Sequence, residues 1–71
     1  NYFYSDGIYY NRYNNYYEVM EPEIGMVVSA LPSDYEKVVY NGVTYYEYNG
    51  VLYQKITTSR GRGYEVVGYI D

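Results

Sequence analysis

The residues of this chain with the greatest chemical reach are a glutamate cluster and a tyrosine-rich run. Glu18, Glu21 and Glu23 lie close together in "EVMEPE". Paired carboxylates can do general acid–base work, and clustered ones can hold calcium. This group lacks the regular oxygen-ligand spacing of a dedicated calcium loop, and a Glu- and Pro-rich stretch reads first as a solvated turn. The second group is "GIYYNRYNNYYE", where Tyr9, Tyr10, Tyr13, Tyr16 and Tyr17 stand beside Arg12 and three asparagines. Rigid aromatic rings with adaptable amides and an arginine are the side chains that recognise peptides and sugars. Tyr9, Arg12, Tyr13 and Tyr16 are therefore the candidate ligand-binding residues. The bland alternative is a strand, a turn and a second strand with one buried stripe.

Other chemistry is absent in kind. The chain has no His and no Cys, so no Ser-His or Cys-His nucleophile can be assembled. Zinc sites of the usual nitrogen and sulfur type are excluded for the same reason. No Gly-rich phosphate loop opens a helix, because no segment has helical periodicity. The expectation is a non-enzyme with no catalytic residues, no metal and no cofactor. A net charge of −4, from nine acidic and five basic residues, argues against nucleic acid, whose backbone is met by clustered Lys and Arg. Arg60 and Arg62 in "SRGRG" read as loop residues. No apolar run approaches the roughly 20 residues of a helical span, so the chain is not expected to span a membrane. It opens at Asn1, so a missing leader says nothing against export.

The elements that must position these residues are strands. Asp6-Gly7, Asn41-Gly42 and Asn49-Gly50 each sit between strand-forming residues, and such pairs suit two-residue hairpin loops with both φ angles positive. Asn14-Asn15 is a weaker signal of the same kind, and "TTSRGRG" (57–63) reads as a longer hairpin loop. Strands are predicted at about 2–4, 8–13, 16–20, 26–31, 36–40, 43–48, 51–56 and 64–70. A chain of 71 residues is a single domain, and one this small buries only about 60% of its unfolded surface. Fifteen tyrosines suit such a domain, since each buries a ring while its hydroxyl reaches a polar partner.

An internal repeat refines this reading. "DGIYYNR" (6–12) parallels "NGVLYQK" (49–55), and "YYEVMEP" (16–22) parallels "GYEVVGY" (63–69) through Tyr-Glu-Val. The prediction is an all-β antiparallel domain of two pseudo-repeated three-stranded meanders, 1–22 and 43–71. A strand-bearing segment, 23–42, joins them in a small barrel-like or sandwich arrangement. Within the second meander the two-residue loops put Tyr46 opposite Tyr53, a cross-strand pair that contributes about 0.2–1 kcal/mol over Ala–Ala. Phe3 and Tyr10 hold the same offsets around Asp6-Gly7, so all four are expected in the core. Thr44 is expected opposite Lys55. A further reading is a homodimer joined through a strand edge, with "GMVVSAL" as the segment concerned, because long edges with little charge pair readily.

From Glu18 onward the sequence resembles a tyrosine-rich domain family of unknown function found in exported proteins of Gram-negative bacteria. The resemblance is carried by Pro22, Gly25 and Val28, by Leu31-Pro32, by Asn41-Gly42 with Tyr45 and Tyr46, and by Asn49-Gly50-Val51 with Tyr53. It implies a location in the periplasm or on the cell surface and implies no activity and no functional residues. The expected role is a non-catalytic structural or protein-interaction module of the cell envelope. The alternative is glycan or peptide binding through the first meander.

Overall fold

A computed structural model describes residues 2–70 of the chain. It contains eight strands in chain order: β1 Phe3–Ser5, β2 Ile8–Tyr13, β3 Tyr16–Met20, β4 Val27–Val28, β5 Glu36–Tyr40, β6 Val43–Tyr48, β7 Val51–Thr58 and β8 Gly61–Tyr69. They form two antiparallel sheets, one ordered β1-β2-β3 and the other β4-β8-β7-β6-β5. Both sheets are open, so the expected closure into a barrel does not occur, and the second form anticipated, two facing sheets, describes the molecule. Among the described residues no helix is long and apolar enough to cross a membrane.

The hairpins form where the dipeptides demand them. Asp6, Asn41 and Asn49 take φ of 51°, 51° and 55°, and the glycines that follow take 87°, 78° and 79°. Successive positive φ angles twist a two-residue turn the way its flanking strands twist. Asn14 also turns left-handed, at 51°, and closes the β2–β3 hairpin. "TTSRGRG" is not a long loop. Strand pairing continues to Thr58 opposite Gly61, because the Thr58 hydroxyl accepts from the Arg60 N–H at 3.1 Å and donates to the Gly61 carbonyl at 2.9 Å. With its own polar groups satisfied locally, the turn needs only Ser59 and Arg60.

The core lies between the sheets. Its buried members are Tyr9 from the small sheet and Val28, Val51, Tyr53, Tyr64 and Val66 from the large one. Tyr2, Tyr4, Met20, Met26, Leu31, Tyr46 and Tyr48 pack around them. The register puts Tyr4 opposite Tyr9 and Tyr9 opposite Met20, so this row is the small sheet's inner side. On the large sheet Tyr46 is opposite Tyr53 and Tyr48 opposite Val51, as the hairpin reading predicts. The expected pairing of Thr44 with Lys55 is absent from the β6–β7 ladder, which runs from Tyr46–Tyr53 to Tyr48–Val51.

Two expectations need correction, one for the core and one for a strand edge. Phe3 does pair with Tyr10, but the pair faces outward, Phe3 exposed and Tyr10 half-buried. The small sheet turns inward the side whose phenols find acceptors. Tyr2 donates to the Val27 carbonyl and Tyr4 to the Ala30 carbonyl, each at 3.0 Å, and Tyr9 shares a 2.7 Å hydrogen bond with Tyr53. Phe3 has no hydroxyl to offer, and the alternating strand leaves it outside with Tyr10. The second correction concerns "GMVVSAL", where only Val27 and Val28 form strand, opposite Glu65 and Tyr64 of β8. The Val27 and Ala30 carbonyls are taken by Tyr2 and Tyr4 rather than left along an open edge. The long edge expected there does not exist.

Candidate binding surface

The β2–β3 hairpin carries the nominated residues and distributes them over two faces. Its register pairs Tyr9 with Met20, Asn11 with Glu18 and Tyr13 with Tyr16 on one face, and Tyr10 with Val19 and Arg12 with Tyr17 on the other. Strand alternation thus separates Arg12 from Tyr9, Tyr13 and Tyr16. Tyr9 is 2% exposed, with its hydroxyl joined to Tyr53. A ring held there cannot stack on a ligand, and its place among the candidates is withdrawn. Burial fades along the same side of the strand, from Tyr9 through half-buried Asn11 to exposed Tyr13. Four residues of strand carry the tip about 13 Å past the last enclosed ring.

At the tip, Tyr13 and Tyr16 are 43% and 57% exposed. Their ring centroids lie 5.8 Å apart with 35° between the planes, a shallow aromatic pair open to solvent. On the opposite face Arg12 sits 6.0 Å from the centre of the Tyr17 ring, within the range of cation–π attraction. Phe3 meets Tyr17 edge to face at 5.5 Å. With Tyr10 and exposed Val19 these residues make a continuous outer face on the small sheet. Phe3, Tyr17 and Val19 were not singled out from the sequence as binding residues. The signal was the cross-strand row Phe3–Tyr10–Val19, legible only once the inner side of the sheet is known.

Concavities open beside the core and on the outer face of the large sheet. One, of about 420 Å³, opens between the Gly7 turn and the Asn49-Gly50 turn, with Tyr9 and Met20 in its wall and Glu21 at its lining. The other, of about 390 Å³, runs along the outer face of the large sheet between Val38, Tyr40, Tyr45, Leu52, Val67 and Ile70. Glu21 and Glu23, both exposed, flank half-buried Pro22 in the segment after β3, while Glu18 stands on β3 opposite Asn11. Among the described residues no three acidic side chains converge as a metal site would require.

Three phenols are raised chiefly by burial and a fourth by a nearby charge. Desolvation, reinforced by Tyr53, pushes the Tyr4 phenol from its ordinary value of 10.0 up to about 12. Burial raises Tyr9 and Tyr53 as well, and the hydrogen bond they share adds to the rise of Tyr9 while offsetting part of that of Tyr53. Tyr48 is raised mainly by the negative charge of Asp34. All four phenols are therefore neutral around neutral pH, and none is poised as a general base.

No curated protein and no solved structure matches the chain. Over residues 1–70 it matches the family of unknown function DUF6515. A match over nearly its whole length makes this chain a member of that family.

Proposed function

We propose that this domain is a non-catalytic protein-interaction module of the bacterial cell envelope, meeting its partner through the outer face of the small sheet. The observation that carries this reading is the uncovered row of Phe3, Tyr10 and Val19, with Tyr17 and Arg12 beside it. Aromatic residues and arginine are the side chains enriched at protein interfaces, and an apolar face with a single cation suits a partner with an acidic residue opposite Arg12. The non-catalytic part rests on the absence of His and Cys. The envelope location rests on the resemblance to exported proteins, and fractionation of cells producing the full-length protein tests it. For the surface itself, a photoreactive phenylalanine derivative replaces Tyr17, with Thr57 as the control position. A discrete protein adduct is expected at Tyr17, absent at Thr57, and lost when Phe3 becomes Ser. Equal adducts at the two positions, or none at either, would sink the reading. So would a hydrolytic or transfer activity abolished by one substitution in a folded protein.

A second reading, glycan or peptide binding at the hairpin tip, is supported by the exposed Tyr13–Tyr16 pair at 5.8 Å. A glycan array on which the protein and its Tyr13→Ala, Tyr16→Ala variant give the same response removes it.

A further inference from the structure

We infer that β5 pairs antiparallel with β5 of a second copy of this chain, joining two large sheets edge to edge. The inference rests on the reading of the domain as an interaction module and names one partner and one place.

The starting point is a mismatch between the sequence of β5 and its position. The last three residues of "EKVVY", Val38, Val39 and Tyr40, place apolar side chains on both faces, as a strand covered on both sides does. Yet β5 is the last strand of the five. Val39 is 65% exposed and Tyr40 66% exposed. Val39 lies on the same side as Tyr46, as the register Lys37–Tyr46 and Val39–Thr44 shows, but outside the cover of the narrower small sheet. Val38 and Tyr40 lie on the other side, in the wall of the outer groove. Both faces of the strand are therefore unfinished at the same edge.

The backbone is unfinished too. Around a two-residue loop the flanking residues form a hydrogen-bonded pair, and such pairs recur at every second residue. With Tyr40 opposite Val43 across Asn41-Gly42, Tyr40, Val38 and Glu36 direct their backbone groups to β6. Lys37 and Val39 direct theirs to the open edge. Exposed edges are ordinarily guarded by proline, a bulge or an inward-pointing charge. β5 contains no proline, its ladder with β6 is regular from Glu36 to Tyr40, and its one inner-side charge, Lys37, precedes the apolar stretch Val38–Tyr40 and leaves it uninterrupted. The other end of the large sheet, by contrast, closes with the two-residue β4.

A second copy fits this edge because the strand is complementary to itself. A two-fold axis at Val39 sets Val39 against the partner's Val39 on one face. On the other it sets Val38 against the partner's Tyr40, a β-branched and aromatic pairing of the kind that stabilises sheets. Lys37 falls opposite the partner's Asn41. Moving the axis to Lys37 would oppose two lysines directly, which is unfavourable. In the Val39 register like charges stay apart, apolar residues meet on both faces, and the two outer grooves become neighbours on one extended sheet. The arrangement is isologous and closed, so it makes a dimer and not a fibre.

Sedimentation from micromolar to millimolar concentration tests this. The expected result is a concentration-dependent dimer, weakened about 100-fold or more by Val39→Lys. Phe3→Ser, on the other sheet, leaves the dimer intact, so this inference and the small-sheet reading fail separately. A second variant uses the absence of native cysteine. In the proposed register two cysteines at position 39 would have Cα atoms about 5.5 Å apart, inside the disulfide range. Val39→Cys should oxidise rapidly to a covalent dimer, and Val19→Cys, equally exposed but on the small sheet, should not. A chain that is monomeric at about 1 mM overturns the inference, even if it captures a foreign strand. A dimer indifferent to Val39→Lys overturns it, as does Val39→Cys crosslinking no faster than Val19→Cys.

Discussion

The most consequential pair of atoms in the molecule is the two phenol oxygens of Tyr9 and Tyr53, 2.7 Å apart in the core. Either can donate, and among the described residues no buried side-chain polar atom lacks a partner. Tyr53→Phe leaves the Tyr9 hydroxyl enclosed and unbonded, which costs about 1–3 kcal/mol. Adding Tyr9→Phe removes the orphan as well, so the double variant should be no less stable than the single one. Urea unfolding of the four proteins measures the cycle. Losses that simply add would show that the two hydroxyls act independently. Tyr53 was legible as a core residue because its hairpin register with Tyr46 is fixed by Asn49-Gly50. Tyr9 was not. Tyr9 and Tyr10 are the same residue type on successive positions, so the local sequence cannot say which faces in. The choice is made by acceptors on the other sheet, dozens of residues away.

At the scale of elements, the hairpins were the most legible part of the fold, because each rests on a two-residue conformational demand. The glycines nevertheless differ in what surrounds them. At Gly42, φ is +78° and a Cβ would meet open space. At Gly7, φ is +87° and a Cβ would collide with the Tyr48 ring and press on Pro32. Gly42→Ala should cost about 1 kcal/mol through backbone strain alone. Gly7→Ala should cost about 1–3 kcal/mol more through overpacking, read from denaturation midpoints of the two variants. Equal losses would mean that the Tyr48 contact is slack. That contact joins the β1–β2 turn to β6, which explains why Gly7 is buried although it occupies a turn. The elements misread from sequence failed for identifiable reasons. The 57–63 loop shrank because Thr58 supplies the turn's hydrogen bonds. The 26–31 strand shrank because phenols from β1 and its flank take carbonyls that a neighbouring strand would otherwise bond.

For the whole molecule, the governing fact is that a three-stranded sheet covers a five-stranded one. Local patterning predicted strands and turns, and it could not predict this inequality, which depends on how two sheets share one interior. The interior they share is rich in phenols, and that sets a response to alkali. Tyr4, Tyr9 and Tyr53 have folded pKa values raised above the ordinary 10.0, Tyr4 to about 12. As pH rises through 10 the unfolded chain releases protons that the folded one retains. The unfolded state then binds fewer protons, so stability falls with rising pH. These groups contribute their full stabilisation up to about pH 9 and lose it as pH climbs through 10 toward 12 and beyond. Urea midpoints measured at stepped pH should decline over that window, and a midpoint that stays level to about pH 12 would contradict the account. The same burial also sorts one residue type into several reactivities. Iodine and nitrating reagents attack tyrosine through its phenolate, so they should mark open rings such as Tyr13, Tyr16, Tyr17 and Tyr40 first. Tyr9 and Tyr53, shielded and slow to ionise, stay unmarked until the sheets part, and the pattern of labelled rings becomes a chemical record of which faces are open.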